Sequence, residues 1–83
     1  MAYRRLDRLV DWHDDRTLVI DVSRDGTAVI RDLTKQYTLN NWKAVPEAVA
    51  EAERMIGDGL WHRDFVVHLH DGATWDETWG PLG

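Results

Sequence analysis

His68 and His70, separated by one residue and followed by Asp71, are the side chains best suited by type in this sequence to hold a metal ion or move a proton. Residues i and i+2 of a strand share a face, so a His-x-His pair can clamp a transition metal when a neighbouring strand adds a third donor. His62, Asp64 and His13 are further donors elsewhere in the chain, but no spacing among them matches a standard zinc signature. A second concentration of reactive types is Trp12-His13-Asp14-Asp15-Arg16, which holds a base, two carboxylates and a cation. Neighbours on a strand point to opposite faces, so adjacency builds no hydrolytic site, and a polar turn between two strands accounts for the same run. Ser23, the only serine, flanks a turn, and there is no cysteine, so no nucleophile sits in an activating setting. The glycines fall at turns, at a helix end and at the C-terminus, which leaves no phosphate-cradling loop.

The elements that position these residues are signalled by two Asp-Gly turns, Asp25-Gly26 and Asp71-Gly72, each between β-rich flanks. A two-residue loop at the first turn mixes polar and apolar residues on both faces. A three-residue loop, Arg24-Asp25-Gly26, pairs Val22 with Ala28, Ile20 with Ile30 and Leu18 with Asp32, which makes one face nearly all apolar. The same argument at the second turn predicts a loop His70-Asp71-Gly72 with Leu69 opposite Ala73 and Val67 opposite Trp75. Gly26 and Gly72 are then expected at positive φ. That register puts His68 on the solvent face beside Val66 and His70 in the turn, which argues against a metal clamp.

Between the turns, Val45, Val49, Ala52 and Ile56 recur at helical spacing, with Glu47, Glu51 and Arg54 on another face. This pattern predicts a helix over 46–56, with Pro46 in its first turn, Gly57 just past its end and Leu60 packing back over the cap. Gln36 to Leu39 alternates and suggests a short strand; Leu6 to Trp12 fits strand and helix patterns, with the strand preferred. The expected fold class is α+β: a small antiparallel sheet of two hairpins plus one or two further strands, with one helix packed across one face.

With 83 residues and no cysteine, the chain reads as one domain, residues 1–83, without a disulfide framework. No apolar window approaches a membrane span, so a soluble, cytoplasmic setting is expected. Residues 1–43 hold eight Lys/Arg against seven Asp/Glu, and residues 44–83 hold two against eight, so the net charge of −5 comes from the second half. An acidic half repels phosphate backbones, which disfavours direct nucleic-acid binding. Of the five tryptophans, Trp75 and Trp79 are expected in the core, while Trp42 and Trp61 flank the helix and are available as apolar anchors.

The sequence therefore favours a small acidic, non-enzymatic module that binds a protein partner with a basic surface and regulates or inhibits a larger assembly. In size and charge it is like phage-encoded inhibitors of bacterial defence complexes. The expected contacts are Glu47, Glu51 and Glu53, with Trp42 or Trp61 as anchor, and no cofactor or metal. One alternative is a structural subunit that self-associates as a homo-oligomer through an open sheet edge. Another is a metal-dependent hydrolase using His68, His70 and His62.

Overall fold

The computed structural model describes residues 3–33, 37–38, 42–59 and 61–82. Among these, six strands build one sheet: β1 (Arg4–Arg5), β2 (Thr17–Val22), β3 (Thr27–Asp32), β4 (Tyr37–Thr38), β5 (Lys43–Ala44) and β6 (Asp64–Leu69). The helix α1 (Val45–Gly57) joins β5 to β6. The spatial order is β1-β6-β2-β3-β4, with β5 also on β3.

The first hairpin has the expected register, Ile20 opposite Ile30 and Val22 opposite Ala28, with Ser23 N–H donating to Thr27 C=O at 2.8 Å. Gly26 closes it at φ +85°. Asp25 Oδ1 accepts from the Thr27 amide at 3.0 Å and its hydroxyl at 2.6 Å, which fastens the turn.

The α+β class holds, but the sheet is mixed rather than antiparallel. β6 lies parallel to β2, Leu18 opposite Phe65 through Val22 opposite Leu69, and β1 pairs parallel to the other edge of β6. The predicted second hairpin does not form. A strand has two hydrogen-bonding edges, and those of β6 are taken by β2 and β1, so residues 73–79 have no edge to join. The turn itself survives: Gly72 has φ +82°, and Ala73 N–H reaches His70 C=O at 2.8 Å. Beyond it the chain enters a 3-10 turn at Glu77–Trp79, started by Asp76 Oδ1 accepting the Thr78 amide. Trp75 and Trp79 still pack against the core, edge to face at 5.2 Å.

The helix matches its periodicity, one residue longer at each end than predicted, and buries Val45, Ala48, Val49 and Ala52. They meet Leu18, Ile20, Val22, Ala28, Ile30 and Val67, each wholly buried. Such burial contributes about 1.5–3 kcal/mol per large aliphatic side chain. Gly57 is the last helical residue and Asp58 takes the cap, its N–H meeting Arg54 and Ile56 carbonyls. Leu60, Gln36 and Leu39 lie outside the described residues; Tyr37–Thr38 forms the expected short strand on β3. Leu6 to Trp12 is neither strand nor long helix: Arg4–Arg5 is the strand, and Leu9–Asp11 forms a 3-10 turn. Trp12 Nε1 then donates to Thr17 C=O at 3.0 Å, which brings this segment beside the sheet face opposite α1. No described helix is long and apolar enough to cross a membrane.

Candidate functional site

β2 is buried along its whole length, and that includes a carboxylate, Asp21. Side chains alternate along a strand, so Leu18, Ile20 and Val22 face the helix while Val19 and Asp21 face the other way. On one side of β2 the parallel register sets His68 directly beside Asp21; on the other, Arg31 of β3 lies one pair along the same face. His70 N–H donates to Val22 C=O at 3.0 Å, so the ladder runs past the end of β6 and His70 keeps the face of His68.

The side chains converge. Asp21 Oδ2 accepts from Arg31 Nε at 2.7 Å. Asp21 Oδ1 meets His68 Nδ1 at 2.9 Å and His70 Nε2 at 2.7 Å. The imidazoles stand edge to face, with ring centres 5.3 Å apart. Burial pushes the Asp21 carboxyl up, but the hydrogen bonds from His68, Arg31 and His70 outweigh it and hold the group below the usual carboxylate range.

One carboxylate oxygen and two imidazole nitrogens, all within 4.8 Å of one another, are the donor types of a zinc-class centre with three protein ligands. Tetrahedral coordination at about 2.0–2.1 Å spaces the donors by roughly 3.3 Å, so each ring would retreat by about half an ångström. Arg31 occupies Oδ2, which leaves Oδ1 as the coordinating oxygen and orients it, the usual work of an outer-shell partner.

His70 is 43% exposed and lines a cavity of about 480 Å³ with Ser23, Arg24, Trp42 and Asp71. Both Asp-Gly turns contribute to this wall. Gly72 admits the Arg24 side chain: a Cβ there would stand 2.6 Å from Arg24 Cδ. A larger hollow of about 530 Å³, between the end of α1 and Tyr3, Phe65 and Arg63, lies on the helix side of the sheet, away from Asp21.

The residues singled out from sequence are spread over the molecule. Glu47 is exposed on α1. Glu51 is engaged by Lys43 at 2.7 Å and Arg54 at 3.3 Å, and exposed Glu53 accepts from Tyr3 Oη at 3.1 Å. Trp42 is 48% exposed beside His70, near the hairpin loop. Trp61 is 46% exposed near the start of β2, its Nε1 donating to Asp15 C=O at 3.2 Å under the Arg16 guanidinium at 4.3 Å. These two tryptophans adjoin opposite ends of β2. His62 pairs with Asp32 at 2.7 Å and does not join His68 and His70. His68 lies on the face opposite α1 and His70 at the turn, as expected, but His68 is not solvated, since β6 pairs with β2 and sets it beside Asp21, and the His70 ring reaches the same carboxylate from the turn.

Asp21 and Arg31 are the members that sequence reasoning missed. The available signal was an aspartate inside Leu18-Val19-Ile20-Asp21-Val22: a continuous apolar run reads as a strand covered on both faces, and a carboxylate there must be partnered. No family model, curated protein or solved structure matches the chain.

Proposed function

We propose that this protein binds one divalent transition-metal ion of the zinc class through Asp21 Oδ1, His68 Nδ1 and His70 Nε2. The observation that carries this reading is the convergence of two imidazole nitrogens, at 2.9 and 2.7 Å, on one oxygen of a wholly buried carboxylate whose other oxygen is held by Arg31. Stability alone gives a weak reason for such a cluster, since apolar residues of similar volume in place of buried ion pairs are often neutral or stabilising. A metal gives each side chain work: two neutral donors, one anionic donor and one arginine that orients it. Of the hydrolase alternative this retains the metal and two histidines, without His62.

The test is zinc titration followed by calorimetry and thermal melting. Zinc at a hundredfold its Kd is expected to stabilise the fold by about 2.7 kcal/mol. His70→Ala, at the exposed end of the cluster, removes most of that gain while the domain still folds. No heat of binding and an unchanged melting temperature would overturn the proposal.

A second reading, docking on a basic surface of a larger assembly that the protein regulates or inhibits, is favoured by exposed Glu47 and Glu53 on the helix of the acidic half. Glu51 belongs to an internal ion-pair network and is dropped from that surface. Pull-down with the parent and with E47K/E53K, at low and high salt, separates this from self-association, which a concentration-dependent mass reports.

A further inference from the structure

We infer that the metal ion keeps one coordination position open to the cavity beside Trp42, and that this position takes the oxyanion group, carboxylate or phosphate, of a small molecule. The inference rests on the metal reading above. Three protein donors leave a zinc-class ion short of its usual four. Asp21 is wholly buried and His68 nearly so, whereas His70 forms part of the cavity wall, so the donors close the inner side and the free position faces outward past His70.

Charge selects the ligand class. With neutral imidazoles, the ion brings 2+, Asp21 and Arg31 cancel, and at the cavity wall Arg24 and Asp71 cancel. The filled site therefore holds two uncompensated positive charges beside the cavity, and an anion neutralises at least one. Arg24 reaches that space because Gly72 has no side chain in its way. Trp42 supplies a half-exposed indole against which the apolar body of the ligand can lie. A volume of about 480 Å³ suits a small molecule rather than a peptide chain.

The experiment loads the full chain with cobalt(II), whose visible spectrum reports coordination, and titrates acetate, benzoate and inorganic phosphate separately. The expected result is a spectral change on adding at least one anion. A response to the carboxylates alone assigns a carboxylate ligand, and one to phosphate alone assigns a phosphoryl group. Arg24→Ala raises the anion Kd about fivefold, proportionally more than it changes the cobalt Kd. Trp42→Ala erases a preference for benzoate over acetate. A bound cobalt spectrum that no anion alters, or a response untouched by Arg24→Ala, overturns the inference while leaving the metal reading standing. Absence of cobalt binding overturns that reading itself.

Discussion

The two faces of β2 are buried alike and held by different physics. Toward the helix, Leu18, Ile20 and Val22 pack into the apolar cluster, and their contribution is the removal of hydrocarbon from water. On the opposite face Asp21 is as deeply buried, and it is tolerated because three donors from two neighbouring strands compensate its lost hydration. The first face degrades gradually when a methylene group is lost. The second depends on completeness, because removing one member leaves charge or hydrogen-bonding capacity stranded.

The largest effect should therefore come from Asp21→Asn, which keeps shape and removes the charge facing Arg31: about 3–5 kcal/mol of lost stability by urea denaturation. Leu18→Ala on the apolar face should cost about 3 kcal/mol, with no change in zinc affinity beyond that due to unfolding. Replacing the cluster together, Asp21→Leu with Arg31→Met and His68→Leu, should bring stability back to within about 1 kcal/mol of the parent while abolishing zinc binding. A triple variant as unstable as Asp21→Asn would show that the polar face is needed for folding itself.

The smallest effect concerns Asp25, a surface counterpart of Asp21. Hydrogen bonds from the Thr27 hydroxyl and amide hold its carboxyl below the ordinary range, in full contact with water. A depressed carboxyl stabilises the fold above the unfolded-state pKa of about 3.9, and the contribution is lost as pH falls through the lower folded value. The Thr27 amide resonance should track that titration with a midpoint below about 3.9, without global unfolding.

The first hairpin is legible in the sequence because its information is local. Parity around Asp25-Gly26 leaves one register with an apolar face, and the ladder from Val19 to Val22 obeys it. The helix is legible from its spacing and from Pro46. The second turn carries the same signal with a different outcome, because the path of the chain beyond Gly72 depends on whether β6 has a free edge, and that is decided by β2, more than forty residues earlier. The candidate site is hidden for the same reason. His68 and Asp21 are separated by 47 residues and meet only through the register of a parallel pair.

That parallel pairing also orders events during synthesis. Chain leaving the ribosome can close the β2–β3 hairpin at once, since its partners are joined by a short loop. The other edge of β2 stays bare until the helix and all of β6 have emerged, and Asp21, met by Arg31 across the hairpin, lacks His68 and His70 meanwhile. Nascent chains truncated before Asp64 are thus the form most exposed to wrong strand partners, and the charge of Asp21, then met by Arg31 alone, raises the cost of burying that strand against any other before β6 arrives.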